Sequence, residues 1–221
     1  MTPCLAIAAK QPESGRVKTR IAAEIGDDQA AELCRCALHD TLALASAVVH
    51  VTRAVSYAPA TAEARRYFET EAPAFELLPQ HGADLGQRMQ DLFSRLMQRF
   101  SPVVLIGSDS PDLPAAFIEG AFALLTQADA VLGPANDGGY YLIGLNAVQP
   151  ALFERIDWST DAVAEQTRVR ARETGLRLAE LPRWHDLDTV ADLRLLAAPG
   201  APATRAFVAT LEQQRQMRRH A

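Results

Sequence analysis

Short apolar runs alternate with longer stretches of helical period along most of this chain, and that alternation constrains the fold more than any other feature. A mostly parallel sheet covered by helices produces such a pattern. Val103–Ile106 is the plainest strand, an unbroken run of valine, leucine and isoleucine of the kind found in strands buried on both faces. Ahead of it, Asp84 to Phe100 carries the most regular helix pattern. Leu85, Met89, Leu92, Phe93, Leu96, Met97 and Phe100 recur at intervals of three and four and share one stripe, which Pro102 ends.

The same reading predicts further strands at Cys4–Ala9, Val51–Ala58, Phe75–Leu78, Ala130–Leu132, Tyr140–Leu145 and Arg177–Glu180. It predicts helices at Asp27–Ser46, Thr61–Glu71, Ala115–Leu125, Ala162–Thr174 and Val190–Ala197. Pro199, Gly200 and Pro202 form a hinge before a last polar helix, Ala203–Arg219, which packs either on the domain or on a second copy in a homodimer. The expected organisation is one α/β domain over 1–198 and a helical extension over 199–221, a size that suits a single large core.

A net charge of −5 with both signs interspersed, and no stripe of aromatics among arginines, argues against a nucleic-acid polymer as partner. No stretch reaches the roughly 20 apolar residues of a membrane span. The run Leu5–Ala9 is too short for a secretory leader and has no basic segment before it. Cys4, Cys34 and Cys36 are an odd count without the further ligands a zinc site needs, so they read as reduced, structural thiols of a cytoplasmic protein.

Ligands of open parallel sheets bind at the carboxyl ends of the strands, and four polar segments fall there. The loop after the first strand holds Lys10, Arg16, Lys18 and Arg20 around Gly15, a set suited to phosphates by charge and by backbone donors, although it lacks a Walker sequence. After the central strand comes Gly107-Ser108-Asp109-Ser110-Pro111-Asp112, a stiff loop with two carboxylates. Asp109 is the expected Mg²⁺ or Mn²⁺ ligand, and Asp112 either contacts substrate or caps the next helix. The third segment, Asp137-Gly138-Gly139-Tyr140, permits close backbone approach to a ligand. Asp137 is either a general base or a ligand of a sugar hydroxyl, with Gly138, Gly139 and Tyr140 on the acceptor, though Asp137-Gly138 is also a hairpin turn signal. In the fourth, Asp186 and Asp188 share one face of an extended segment. Asp188 is the better second metal ligand, and Thr189 with Asp192 fits a capping box. Trp158 either lines an acceptor pocket or packs, with Ser159 or Thr160 capping the helix that follows.

Taken in order, K-x-P-x-x-G-R-V-K-T-R, G-S-D-S-P-D-L-P, D-G-G-Y-Y-L-I-G-L, W-S-T and D-L-D-T-x-x-D-L resemble the DUF2064 family of bacterial glycosyltransferases, described as associated with radical-SAM or arsenosugar pathways. The resemblance runs from Leu5 to about Leu196. It implies the GT-A fold, a Rossmann-like three-layer domain with a mostly parallel mixed central sheet, and is similar also to phospholactate guanylyltransferases. It implies that Gly15, Arg16, Lys18 and Arg20 hold nucleotide phosphates and that Asp109 and Asp188 bind the divalent cation. One departure is D-S-P-D at the central strand in place of the usual D-x-D. The expected activity is metal-dependent transfer of a sugar from a nucleotide-diphosphosugar to a small-molecule acceptor. Nucleotidyl transfer from an NTP is the first alternative, and a non-catalytic nucleotide-binding module the second.

Overall fold

The structure is a computed structural model and describes residues 1–220. Its strands are β1 (Thr2–Lys10), β2 (Thr52–Ala58), β3 (Glu76–Pro79), β4 (Phe100–Gly107), β5 (Ala130–Pro134), β6 (Tyr140–Leu145) and β7 (Leu178–Glu180). They form one sheet in the order β3-β2-β1-β4-β6-β5-β7, parallel except for β6, which runs antiparallel to both neighbours. The helices are α1 (Thr19–Ile25), α2 (Asp27–Ala47), α3 (Ala62–Glu71), α4 (Leu85–Leu96), α5 (Ala115–Leu124), α6 (Val163–Glu173) and α7 (Pro202–His220).

Strand pleating builds the two hydrophobic layers. On β1, Leu5, Ile7 and Ala9 face one side and join Leu38 and Leu42 of α2, Phe68 of α3 and Ile118 of α5. Cys4 and Ala6 face the other side, where Met89, Leu92, Phe93 and Leu96 of α4 and Ala164 and Ala171 of α6 cover them. The central strand β4 alternates the same way, with Val104 and Ile106 in one layer and Val103 and Leu105 in the other. Both faces of β1 and β4 are therefore dry, which is why those strands read as continuous apolar runs.

Several expectations need correction. The helical stripe at 84–100 ends at Leu96, because Phe100 pairs with Thr2 and opens β4. The segment expected as a helix over Val190–Ala197 is a single 3-10 turn, Asp192–Leu195. There the Asp192 carboxylate accepts from Thr189 N, the back-bond of the expected capping box, and from Asp188 N, but the Thr189 hydroxyl donates to the same carboxylate and the turn's first flanking residue is Ala191. Neither Ser159 nor Thr160 caps α6, whose first flanking residue is Ala162. Thr160 Oγ1 instead donates to Asp157 O at 2.7 Å and closes a local turn. Helix α1 has no counterpart among the expected elements. It buries Ile21 and Ala22 against Leu33 of α2, and Val208 of α7 joins the same small cluster. The α7 N-terminus is held from α2, where buried Asp40 accepts from Ala203 N, Thr204 N and the Thr204 hydroxyl.

Candidate active site

β1 and β4 lie side by side and end together, and β6, antiparallel, begins at the same edge. A cleft of about 940 Å³ opens there, large enough for a nucleotide and a small acceptor together.

At its centre stands Lys18. Its backbone is left-handed (φ 47°, ψ 45°) at the entry to α1, a conformation that costs a non-glycine residue roughly 1–2 kcal/mol and persists only where the surroundings enforce it. The Lys18 carbonyl accepts the first hydrogen bond of the helix, from Ala22 N at 2.8 Å, and the Lys18 side chain is anchored as well. Its Nζ lies 2.6 Å from Asp109 Oδ1 and 3.5 Å from Asp188 Oδ1. The lysine side chain is 7% exposed, whereas Asp109 and Asp188 are 51% and 40% exposed. Burial pulls the Lys18 ammonium toward neutrality, but the charge and hydrogen bond of Asp109, helped by Asp188, outweigh it and hold the group above its usual range.

Three links bring Asp188 to Asp109 across the chain. Leu187 N donates to Asp109 O at 2.8 Å. The Ser110 hydroxyl bonds Asp186. Asp112, its side chain fully enclosed, accepts from Trp184 Nε1 at 3.2 Å, His185 Nε2 at 3.1 Å and Ala197 N at 2.7 Å. Asp112 therefore touches no substrate space and caps no helix, since α5 begins at Ala115 with Pro114 flanking it and no side-chain cap. It clamps the segment 184–197 onto the loop after β4.

The turn between β5 and β6 is locked to the stretch after Trp158. Gly138 (φ +91°) accepts from Ala164 N at 2.9 Å, and a Cβ on it would collide with the backbone of Asp161. Asp137 Oδ1 accepts from Gly139 N at 2.9 Å, an Asx-type turn. Trp158 packs its indole against Gly86, where any side chain would strike it, and meets Tyr140 edge-on at 6.5 Å. Tyr140 in turn directs its hydroxyl at Met89 Sδ, 3.4 Å away.

The cleft thus gathers most of the residues singled out from the sequence. Lys10, Arg16, Lys18 and Arg20 line it together with Asp109 and Asp188. Asp137, Gly139, Tyr140 and Trp158 line it as well. Gly15 and Gly138 do not line it. Gly15 (φ +74°) only shapes the first loop, and Gly138 serves the turn packing just described. Lys10 is turned onto its own loop, donating to Arg16 O at 2.6 Å, and Arg16 pairs with Glu13 at 3.0 Å. Arg20 stands 4.0 Å from Asp188 with its side chain 74% exposed.

Three further lining residues, Gln80, Arg88 and Asp186, are not among those the sequence singles out for the site. Gln80 and Arg88 follow β3, whose carboxyl end is at the same edge, a position that could have drawn notice. Asp186 alternates with Asp188, and the sequence favours Asp188. Enclosure raises the Asp186 pKa to about 6; the Ser110 hydroxyl opposes that shift, and the nearby charges of Asp109, Asp137 and Asp188 add to it.

The donor set suits a divalent cation of the hard class. Asp109 and Asp188 direct carboxylate oxygens at one point, which the ammonium marks. Among the described residues no cage of three or more His, Cys, Asp or Glu side chains forms. Mg²⁺ and Mn²⁺ tolerate that, since two carboxylates, water and substrate phosphates complete their shell.

This architecture is the GT-A, nucleotide-diphosphosugar transferase fold. Residues 41–160 match DUF2064, described as uncharacterized protein conserved in bacteria, and the chain belongs to that family. It is similar over 97% of its length, at 33% identity and a TM-score of 0.89, to a protein of Desulfovibrio desulfuricans G20 provisionally named a nucleotide-diphospho-sugar transferase, of which 98% is covered. The fold is shared with Rv0371c of Mycobacterium tuberculosis H37Rv, solved in complex with manganese, at 13% identity and a TM-score of 0.57, covering 89% of this chain and 98% of that one. It is shared also with the inositol-1-phosphate CTP transferase of T. maritima, at 13% identity and a TM-score of 0.57, covering 94% and 96%. No curated protein matches the chain. Among the described residues no helix is long and apolar enough to cross a membrane.

Proposed function

We propose that the protein is a divalent-cation-dependent transferase that takes a nucleotide-diphosphosugar and moves its sugar to a small-molecule acceptor. One observation carries this reading: a carboxylate pair, Asp109 and Asp188, and a cationic loop, Arg16 to Arg20, face the same open cleft. A diphosphate laid between them would meet the cationic loop on one side and, on the other, the cation that the aspartates would hold. The cation bound by the aspartates supplies neutralisation of the charge that develops on the leaving nucleoside diphosphate. Lys18, Arg16 and Arg20 add charge-assisted hydrogen bonds to the same oxygens. Tyr140 and Trp158 form a fixed apolar wall on the acceptor side, and Asp137 and Asp186 are carboxylates of the same cleft that could serve an acceptor hydroxyl placed there.

A second reading, nucleotidyl transfer from an NTP to a phosphorylated acceptor, is favoured by one detail. Asp137 spends one oxygen on Gly139 N, and a phosphate nucleophile needs no general base, whereas a hydroxyl does. The by-product separates the two. Incubation with a panel of nucleotide-sugars and NTPs, Mn²⁺ and candidate acceptors is expected to release a nucleoside diphosphate. Pyrophosphate release would establish nucleotidyl transfer instead, and no release with any donor would sink both readings.

A further inference from the structure

We propose that the Lys18 ammonium and the divalent cation are alternative occupants of the Asp109–Asp188 pair, so that cation entry expels Lys18 toward the phosphates of the incoming nucleotide. The proposal rests on the reading that these two aspartates hold the cation.

Two carboxylates directed at one point repel each other unless something positive lies between them. Lys18 is that charge here, 2.6 Å from one and 3.5 Å from the other. The exposures set the geometry of exchange. The ammonium sits on the protein side, nearly enclosed, while both aspartates are about half open to the cleft. A cation therefore approaches the carboxylates from solvent and meets the ammonium across them.

Repulsion sets the two occupants in competition. A divalent cation held by Asp109 and Asp188 stands within a few ångströms of an ammonium bonded to the same oxygens, and like charges that close repel. Asp186 beside them offsets part of that repulsion, and an arriving anion draws the ammonium away from the cation. A nucleotide diphosphate is that anion, and the same cleft wall offers Arg16 and Arg20 for it.

The backbone can stay in place during the exchange. The Lys18 carbonyl accepts the first α1 hydrogen bond, from Ala22 N at 2.8 Å, so only the side chain needs to move. The preceding loop closes on itself through Arg16 N to Glu13 O and Lys10 Nζ to Arg16 O, and Val17 anchors it against Ala31 and Cys34, so the lysine side chain moves while the loop stays in place. Cation and nucleotide binding then strengthen each other, because each removes a cost of the other.

The chain contains two lysines, Lys10 and Lys18, which permits a direct test on the unaltered protein. Brief acetylation followed by peptide mass spectrometry is expected to label Lys10 and spare Lys18. Adding Mg²⁺ without nucleotide should raise Lys18 labelling several-fold and leave Lys10 unchanged. Mn²⁺ affinity measured by electron paramagnetic resonance supplies the second arm. Lys18→Met, or Lys18→Asn should the first variant not fold, is expected to bind Mn²⁺ at least about tenfold more tightly than wild type when nucleotide is absent. Equal or weaker Mn²⁺ binding by the variant, or Lys18 labelling indifferent to Mg²⁺, overturns the exchange while leaving the cation site standing. Failure of Mn²⁺ to bind wild type or variant, with or without a nucleoside diphosphate, overturns the cation site and the exchange together.

Discussion

Asp109 and Asp112 look like twins in sequence, and the structure makes them opposites, which a pair of alanine variants can measure. Asp112 is enclosed and accepts three hydrogen bonds, from Trp184 Nε1, His185 Nε2 and Ala197 N. Removing the carboxylate strands three donors in a dry junction. Each stranded group costs about 1–3 kcal/mol, and loss of one partner from a buried charged cluster costs about 3–5 kcal/mol as a whole. In a domain of this size each kcal/mol lowers Tm by about 2–4 °C, so Asp112→Ala is expected to melt about 6–20 °C below wild type. Asp109 is half exposed, and Lys18 keeps Asp188 as a partner when Asp109 is gone. Its removal leaves the enclosed Lys18 ammonium with Asp188 alone but relieves repulsion with Asp188 and Asp186, so Asp109→Ala should lose about 1–3 kcal/mol, less than Asp112→Ala. Thermal unfolding followed by far-ultraviolet circular dichroism measures both. If Asp112→Ala melts within about 2 °C of wild type, or Asp109→Ala falls as far as Asp112→Ala, the division into clamp and ligand is wrong.

Other outcomes depend on single contacts. Gly138→Ala forces a side chain into the Asp161 backbone at φ +91° and should cost about 2–4 kcal/mol in urea unfolding; a loss below about 0.5 kcal/mol would show that the two turns are not locked. Burial pushes the Cys4 thiol up to about 12 and Cys34 to about 11, while Cys36 is partly exposed. A thiol reagent at pH 8 should therefore titrate one cysteine in the folded protein and three in denaturant. Hydrogen bonds from Arg177 hold Asp129 down at about 2, against 3.8 unperturbed. A lowered folded-state pKa stabilises above the unfolded value and fades as pH falls through the folded one. The stability gap between wild type and Asp129→Asn should accordingly be full at pH 5 and shrink between pH 4 and pH 2; a gap constant with pH would contradict the pairing.

The layers were legible because their causes are local. β1 and β4 betray burial on both faces by unbroken apolar runs, and α4 by a stripe of spacing three and four. What stayed hidden depends on contacts between distant residues. Phe100 continues the α4 stripe in sequence, and only its pairing with Thr2 assigns it to β4. Asp112 carries the turn and cap signals of its loop, yet its partners lie more than seventy residues onward. Lys18 reads as one of four interchangeable cations. Nothing nearby foretells an enclosed, doubly paired lysine, because its ion pairs reach 91 and 170 residues along the chain. Gly138 was legible as a turn glycine, but its close packing on Asp161 was not.

The central claim is that Asp109 and Asp188 bind a divalent cation together with a nucleotide diphosphate. Thermal shift with nucleoside diphosphates, with and without Mn²⁺, on wild type and Asp109→Asn tests it most directly. A ligand at a hundred times its Kd stabilises the folded state by about 2.7 kcal/mol, or about 5–10 °C in Tm. Wild type should show that rise with at least one nucleotide only when Mn²⁺ is present, and Asp109→Asn should lose most of it. No rise with any nucleotide, or the same rise in Asp109→Asn, would contradict the account.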